Sequence, residues 1–513
     1  QISEKRLKMT DFIRGKLPNA SNPSRTPSRT SAARKKRAKK SPSGNLFGAD
    51  KKAGSSSVRK RKSDGGKKGG VRKKARKSKE GGIEGLSFRS LSAGVSALGA
   101  VIGVTELDVT VGLPFGLMGH LSLREISDTA ADLVDNYIDA ETTGEDGVSG
   151  SDDADTAGLP NLKAIFQIGK ILPVSVVKVD PGQPGVRGRR VELTTRASVL
   201  NNELEDSDIT LGMTLTGGVS SEEERGYVIN FGLQNLSGFL PNPKKGQGYG
   251  LIVGQPVQCV VISKKGRILR LALASHPTRK LKNKKSAAVP EDARWEVLQP
   301  GAFVKAIVSG GSEKKNIKKK KGGLASDVAK EAAVAALSER RGTLCKVLGG
   351  SIEVTLHGTH ITHWGDWRKV LGEDKTISCR VLYVDPNKRK VYVTCLPHLL
   401  NLTSFTLPDW SKRGYKGSAV VRWTDRSGAL VELDPQGPVV GSGVRGYVKG
   451  SEVLDGERCA DVEKSLKIEQ KVTCRVTGMN SLDGWAVVSL RESVMSRDIL
   501  NLGDLEAGKK VKG

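Results

Sequence analysis

The stretch "RGYVINFGLQNLSGFLP" (residues 225–241) decides the fold class, because it holds two short alternating segments around a Gly-containing turn. Successive side chains of a strand point to opposite faces, so period-two alternation of this length predicts paired β-strands. A similar shape recurs upstream in "ELDVTVGLPFGLMGHLSLREI" (residues 106–126) and downstream in "GALVELDPQGPVVGSGVRGYVKGSEV" (residues 428–453). This recurrence indicates an internal repeat, and the function is then expected to belong to the repeated unit.

Each repeat is predicted to contain five short strands. A Gly-led opening strand recurs in "LSAGVSALGAVIGV", "ITLGMTLTGGVSS", "LQPGAFVKAIVSG" and "GYKGSAVVRWT". The four second strands are "LDVTV", "YVINF", "IEVTL" and "ALVEL". Third strands are marked by "MGHLSL", "SGFLP", "HITHW" and "RGYVKG". Fourth strands such as "DKTISCRVLYVD" and closing strands such as "WAVVSLRE" complete each unit. Five strands in a unit of this size suit a small closed barrel of the OB type better than a β-sandwich, which needs more strands.

The predicted fold class is therefore all-β, with tandem five-stranded OB-fold (S1-type) barrels behind a disordered basic tail. The predicted boundaries are a tail at 1–85, a first repeat with an acidic insertion at 86–200, a second at 206–276, a third with a basic, helical insertion at 295–399, a fourth at 413–495, and the start of a fifth at 504–513.

Composition narrows the function. The 513 residues carry a net charge of +29, which points to a polyanionic partner, with nucleic acid ahead of a membrane. No apolar run approaches the roughly 18 residues that a membrane-spanning helix needs, so no membrane partner is expected. Six cysteines without a Cys-x-x-Cys pair give no zinc signature and no disulfide framework. We therefore expect no metal or cofactor, and a reduced environment in the cytosol or nucleus.

The first 85 residues are rich in Lys, Arg, Ser, Gly and Pro without an apolar pattern, which predicts disorder. Dense basic clusters in this tail predict nuclear localisation, contact with phosphates, or both. The residues assigned to nuclear localisation are Arg34, Lys35, Lys36, Arg37, Lys39, Lys40, Arg72, Lys73, Lys74, Arg76 and Lys77.

The "GALVEL" strand, the "RGYVKGSEV" segment and the closing "VVSLRE" resemble the S1 RNA-binding domain. An array of such units behind a Lys-rich tail resembles the eukaryotic ribosomal-RNA-processing protein five family of pre-ribosome assembly factors. The resemblance covers most of residues 86–513, and "LEAGKKVKG" at the end is similar to another opening strand. It implies that the chain is an N-terminal portion of a longer array located in the nucleus and nucleolus. The partners it implies are pre-ribosomal RNA, other ribosome assembly factors and small nucleolar ribonucleoproteins.

The family pattern places one aromatic residue just before the second-strand Gly, another two residues after it, and a His in the third strand. The aromatic positions align here with residues that are not aromatic: Thr105 and Asp108, Arg225 and Val228, Gly350 and Glu353, and Ser427 and Leu430. The His position aligns with Ser122, Pro241 and Lys449 and has no clear counterpart in the third repeat. This departure argues against base stacking at the usual positions and leaves charge and offset aromatic residues to contact RNA.

Single-stranded RNA is nevertheless predicted to lie on the second and third strands and on basic loops. The residues predicted to contact it are Arg225, Tyr227, Lys314, Lys315, Lys318, Lys319, Lys320, Lys321, Trp364, Trp367, Arg445, Tyr447 and Lys449. Tyr227 and Phe239 have an alternative place in the barrel core, because Tyr227 alternates in phase with Ile229 and Phe231. The Trp364 and Trp367 pair has the alternatives of a protein interface or ordinary packing.

The sequence thus predicts an RNA-binding ribosome biogenesis factor that supports pre-rRNA processing and assembly of small- and large-subunit precursors. The alternative is a protein-binding scaffold of diverged OB folds, with RNA contacted mainly by the tail. An enzyme is not expected, since the repeats contain no P-loop, no His-Glu-x-x-His and no carboxylate cluster in a repeat core.

Overall fold

The computed structural model describes residues 83, 85–143, 159–182, 188–243, 248–274, 289, 291–308, 342–361, 376–434, 443–456, 459–497 and 499–500. All of these residues belong to one compact unit, residues 81–513. Several predicted features lie outside the described residues: the two nuclear-localisation clusters, the lysines of 314–321, Trp364, Trp367, and residues 504–513.

Within the described residues, twenty strands form four groups of five. Barrel 1 contains β1 (Ser96–Val104), β2 (Asp108–Leu113), β3 (Leu117–Ser122), β4 (Ile171–Asp180) and β5 (Arg190–Thr194). Barrel 2 contains β6 (Thr214–Glu223), β7 (Gly226–Asn230), β8 (Ser237–Pro241), β9 (Pro256–Lys265) and β10 (Ile268–Leu273). Barrel 3 contains β11 (Phe303–Val308), β12 (Gly342–Val347), β13 (Ile352–His357), β14 (Thr376–Asp385) and β15 (Lys390–Thr394). Barrel 4 contains β16 (Lys416–Thr424), β17 (Gly428–Leu433), β18 (Arg445–Lys449), β19 (Lys471–Asn480) and β20 (Trp485–Ser489).

All four groups share one topology. In each, the first strand pairs antiparallel with the second and the fourth, and the third pairs parallel with the fifth. Barrels 2 and 4 are closed, while barrels 1 and 3 share a ten-stranded sheet in which the β1–β4 and β11–β14 pairings close each half. The predicted class of tandem five-stranded OB-fold barrels is confirmed.

A register shift at the same place helps each sheet to close. The fourth and fifth strands of every barrel shift register once, as between Val176 and Lys178 and between Val476 and Gly478. Such a bulge bends and twists a strand, which a five-stranded sheet needs in order to curl onto itself.

The strand assignment in the third repeat was wrong. "GTLCKV" forms the second strand, β12, and the predicted second strand "IEVTL" is the third, β13, because it pairs antiparallel with β12 and parallel with β15. The predicted third strand "HITHW" starts at His360, the last residue of the 3₁₀ turn Gly358–His360, and residues 362–375 lie outside the described residues.

In the part of the chain that the structure describes, helices are few and mostly short. The α-helices are α1 (Asp128–Thr143), α2 (Leu162–Ile165), α3 (Ala197–Leu200), α4 (Pro397–Asn401), α5 (Val462–Ser465) and α6 (Glu492–Met495). The 3₁₀ turns are Pro114–Gly116, Leu123–Glu125, Asp206–Asp208, Trp295–Val297, Leu348–Gly350, Gly358–His360, Asp409–Ser411 and Gly450–Glu452. The acidic insertion was predicted as flexible from residue 139, but residues 139–143 end the helix α1. Within the described residues, no helix is both long and apolar enough to span a membrane.

Each barrel has its own apolar interior. Alternate residues of the strands point inward, and in barrel 2 these include Tyr227, Ile229, Phe231 and Leu240. The cysteines of the matching fourth strands, Cys259, Cys379 and Cys474, are fully buried, as a small apolar residue in a strand would be.

Polar contacts and one strand pairing join neighbouring barrels. Barrels 1 and 3 meet where β1 pairs with β14, Ser96 opposite Val384. Barrels 1 and 2 are joined by Asn201, whose amide Nδ2 donates to the carbonyl oxygens of Thr216 at 2.9 Å and Phe231 at 2.8 Å. These contacts hold neighbouring barrels against each other. They therefore determine which outer strand faces are covered by a neighbour and which are exposed to solvent.

Candidate nucleic-acid interface

The structure aligns the four barrels through the pairing of their second and third strands. Opposite pairs at the start of the second strand are Asp108 with Ser122, Gly226 with Pro241, Gly342 with His357, and Gly428 with Lys449. The His position of the third repeat is therefore His357. The second aromatic position lies two residues after the start of the second strand. It is therefore Thr110 and not Asp108 in the first repeat, and Leu344 and not Glu353 in the third.

A ring stands beside that aromatic position in three of the four barrels. The residues opposite Thr110, Val228, Leu344 and Leu430 are His120, Phe239, Thr355 and Tyr447. Residues directly opposite each other in an antiparallel pair project from the same face and contact one another. The ring that the second strand lacks is thus supplied by the third strand of barrels 1, 2 and 4, on the same outer surface.

In barrel 2 this surface carries Phe239 and not Tyr227. Tyr227 is 1% exposed and packs in the barrel core, so its assignment to RNA contact was wrong and the core alternative holds. Its partner on the third strand is Leu240, which is also buried, whereas Phe239 is half-buried and lies on the opposite face. Arg225 and Arg270 are exposed beside this face.

In barrel 4 the ring of Tyr447 is held flat by its surroundings. It stacks on Trp485 with ring centroids 5.0 Å apart and an angle of 25° between the planes. A Cβ atom on Gly428 would lie 2.4 Å from the Tyr447 hydroxyl oxygen, so the ring lies directly against that glycine. Trp485, Trp423 and Leu430 form a buried apolar cluster outside the barrel core, and Tyr447 covers it. A ring positioned in this way needs little reorganisation to accept a stacked base.

Tyr447 lies in a cleft of about 550 Å³ where barrels 1, 3 and 4 meet. Its apolar walls include Phe115 of barrel 1 and Trp423, Tyr447 and Trp485 of barrel 4, and residues 85–88 lie along one side. This volume is in the range of pockets that bind small organic groups, roughly 300 to 1,000 Å³.

Two cations stand at the cleft. Lys449 and Arg426 both line it, and the side chains of both residues are exposed. The carboxylate of Asp425 also lines it, but its Oδ1 accepts hydrogen bonds from the backbone N–H groups of Ser427 and Gly428. Rings beside exposed ammonium and guanidinium groups suit a ligand that has both flat bases and phosphates.

Arg445 has a different role from the one predicted. Its Nη2 donates to the carbonyl oxygen of Thr359 in barrel 3, so its guanidinium joins two barrels. Burial lowers the pKa of Arg445 to about 10, while Asp483 acts in the opposite direction, so the group stays protonated at neutral pH. Of the three residues predicted on β18, only Tyr447 and Lys449 line the cleft.

A histidine that follows barrel 3 also contacts barrel 4, at the residue before Asp483. The Nε2 of His398 lies 2.9 Å from the carbonyl oxygen of Leu482, to which it donates when it carries the proton. Burial lowers the pKa of His398 from its ordinary value of 6.5, although this hydrogen bond and Asp483 raise it. A lowered pKa means that the unfolded chain binds this proton at a higher pH than the folded chain does.

We therefore expect the folded chain to lose stability as the pH falls through about 6.5 toward the lower pKa of the folded state. The thermal transition at pH 5.5 should lie below that at pH 7.5. In His398→Gln the difference between the two pH values should shrink, because the titrating group is gone. Differential scanning calorimetry at both pH values checks this, and an undiminished difference in the variant would assign the acid sensitivity to other groups.

The ring that the third strands of barrels 1, 2 and 4 share was not predicted, although a short sequence pattern marks it. "GHL", "GFL" and "GYV" all place a ring between a glycine and an aliphatic residue in the third strand. The aliphatic residues Leu121, Leu240 and Val448 are buried, so the preceding ring must face outward. The contribution of Phe115 to the cleft had no such pattern, since it comes from a turn far away in the sequence.

The topology that the four barrels share places the chain among proteins built from tandem OB folds. Residues 412–500 match the family model of the RRP5 OB-fold domain. The chain is 26% identical over 430 residues to "rRNA biogenesis protein RRP5" of Arabidopsis thaliana, covering 83% of this chain and 20% of that protein. It is 24% identical over 449 residues to the Schizosaccharomyces pombe protein of that name, covering 84% and 24%. The chain is thus similar to RRP5 proteins over most of its own length, and it spans about a fifth to a quarter of the length of these relatives.

Solved structures are similar to parts of the chain. The alpha subunit of aIF2 from Pyrococcus abyssi is 26% identical, with a TM-score of 0.15, over 17% of this chain and 31% of that one. A multidomain protein with nucleic acid binding domains from Streptococcus pneumoniae is 15% identical, with a TM-score of 0.13, over 55% of this chain and 73% of that one.

Proposed function

We propose that the chain binds single-stranded RNA of ribosomal precursors and that the cleft of barrel 4 is one of its contacts. The observation that carries this proposal is the Tyr447 ring, held flat on Trp485, with Lys449 and Arg426 beside it. Stacking on an aromatic ring contributes about 1–3 kcal/mol per base, and the cations meet the phosphates.

The relatives support the biological setting. The matched proteins of Arabidopsis thaliana and Schizosaccharomyces pombe are named rRNA biogenesis proteins, so pre-ribosomal RNA is the proposed ligand. Work in pre-rRNA processing and in assembly of both subunits belongs to the same proposal, as do a nucleolar location and contacts with other assembly factors. The proposed role is binding and not catalysis: rings and two cations line the cleft, and the carboxylate among its lining residues, Asp425, is bonded within its own turn.

Tyr447→Ala should weaken binding of the full chain to a fluorescently labelled 12-nucleotide RNA by roughly 5- to 150-fold, the equivalent of one lost stack. Fluorescence anisotropy at 300 mM salt is the measurement, since salt suppresses sequence-independent binding by basic segments. Tyr447→Phe keeps the ring and should bind like the wild type.

Phe239→Ala is the matched variant, because it removes the ring at the equivalent position of barrel 2. If it weakens binding and Tyr447→Ala does not, barrel 2 and not the cleft holds the RNA. If neither variant changes the affinity, the stacking proposal fails. Crosslinking and sequencing of bound RNA tests the ligand, and enrichment of messenger RNA over ribosomal precursors would contradict it.

A further inference from the structure

One wall of the cleft is a strained turn of barrel 1. Phe115 has φ 62° and ψ 31°, in the left-handed region, and Gly116 follows with φ 69°. A non-glycine residue in this region costs about 1–2 kcal/mol and persists where its surroundings hold it.

The turn is held by a carboxylate of barrel 4. The backbone N–H of Phe115 donates to Oδ1 of Asp483 at 3.2 Å, and the N–H of Gly116 donates to Oδ2 at 3.1 Å. Successive N–H groups in a left-handed turn form a concave site for an anion. Asp483 thus binds barrel 1 as an anion binds such a site.

The carboxylate is completely buried, so its other contacts matter. Its Oδ2 also accepts from the Asn480 amide at 2.7 Å, and its Oδ1 lies 3.4 Å from the Nε2 of His360 in barrel 3. Asp483 and His360 are both 0% exposed. A buried carboxylate is tolerated only with such partners, so removing it leaves two N–H groups of barrel 1 without their acceptor.

The ring of Phe115 is fixed by barrel 3. It meets His357 edge-on with ring centroids 4.8 Å apart, and His360 and Tyr383 at 5.3 and 6.3 Å. His357 occupies the third-strand His position of barrel 3 and is 4% exposed, so the strand face of barrel 3 is covered here by its neighbours. Barrel 3 therefore supports the cleft and does not present an equivalent open surface at this position.

From these contacts we infer that the cleft is a composite site, and that Asp483 is the positioning residue that assembles it. This inference rests on the proposed RNA-binding function. Barrel 4 supplies the stacking ring, barrel 1 supplies the opposite wall through Phe115, and Asp483 holds the two in register. RNA binding and the docking of barrel 1 are then thermodynamically linked, so each strengthens the other.

The test uses the full chain and the 12-nucleotide RNA described above. Asp483→Asn keeps the size of the side chain but places an amide donor where an oxygen accepted. We expect it to weaken RNA binding by roughly 5- to 100-fold. Hydrogen exchange should speed up in the segment containing residues 113–118, and in the wild type RNA should slow exchange there.

Asp208→Asn is the matched control. Asp208 is a buried carboxylate in the 3₁₀ turn before barrel 2, and its Oδ2 accepts from the backbone N–H of Glu205 in the same turn. This variant should leave RNA affinity and exchange at 113–118 unchanged. Phe115→Gly is a second variant from the other side of the junction, since glycine adopts the left-handed turn but supplies no ring; it should also weaken RNA binding.

The outcomes separate the inference from the proposed function. Loss of binding in Tyr447→Ala, with wild-type binding and wild-type exchange in Asp483→Asn and Phe115→Gly, would overturn the composite site alone. Unchanged binding in Tyr447→Ala would overturn the proposed RNA contact at the cleft, whatever Asp483 does. If Asp483→Asn unfolds barrel 4, as exchange throughout β16–β20 would show, Phe115→Gly alone decides.

Discussion

Replacing both Lys449 and Arg426 with glutamate should lower the affinity for single-stranded RNA about 60-fold at 50 mM salt but only about 10-fold at 200 mM. These figures follow from counterion release, where each phosphate contact to a single strand contributes about 0.7 to the slope of log affinity against log salt. The loss of two phosphate contacts lowers the slope by about 1.4. The two fold-changes assume that these contacts contribute nothing to affinity at about 1 M salt. Repulsion by the new carboxylates adds to the loss at low salt.

The matched control reverses the same amount of charge elsewhere. Lys305 and Lys346 are exposed on β11 and β12 of barrel 3 and do not line the cleft. The double variant Lys305→Glu with Lys346→Glu should keep most of the affinity and most of the salt slope. An equal loss in both double variants would mean that RNA senses the overall charge of the chain and not the cleft. Arg445 is left unchanged in this design, because its guanidinium holds barrel 3 at the Thr359 carbonyl.

The sequence predicted the barrels because strand alternation is a local property. The residues that point inward can be recognised within each strand's own short sequence. In β7, Tyr227 and Ile229 point into the core, and Phe231, just after the strand, continues the alternation. Alternation also explains the failure in the third repeat. "IEVTL" alternates like a second strand, and only its parallel pairing with β15 shows that it is the third.

The cleft could not be predicted in the same way, because it is made by contacts between barrels. Phe115 and Asp483 lie 368 residues apart in the sequence and meet at a hydrogen bond. Nothing in "LPFGLM" or in "SLDGW" indicates that one turn receives the carboxylate of the other. Arg445 was assigned to RNA for the same reason, since a basic residue on an outer strand face has the same local pattern whether it meets a phosphate or a neighbouring carbonyl.

The fixed order of the barrels can itself be tested at Gly232, which follows β7 and has φ +68°. A Cβ atom there would lie 2.3 Å from the backbone N and Cα of Ser198, in the helix α3 that follows barrel 1. These are backbone atoms, so the overlap is relieved only if barrel 2 moves away from the helix. Gly250 has a similar φ, +63°, but a Cβ atom there would meet nothing within 4 Å.

Gly232→Ala and Gly250→Ala therefore share the cost of a left-handed alanine, about 1–2 kcal/mol, and differ in the overlap. We expect Gly250→Ala to cost about that amount and Gly232→Ala at least about 3 kcal/mol, as measured by hydrogen exchange of the core amides of barrel 2. Equal costs would mean that barrel 2 does not dock on this helix. Because barrel 2 contributes no residue to the lining of the cleft, Gly232→Ala should also leave the Tyr447-dependent part of RNA binding intact. Loss of that part would show that the cleft depends on all four barrels and not on barrels 1, 3 and 4 alone.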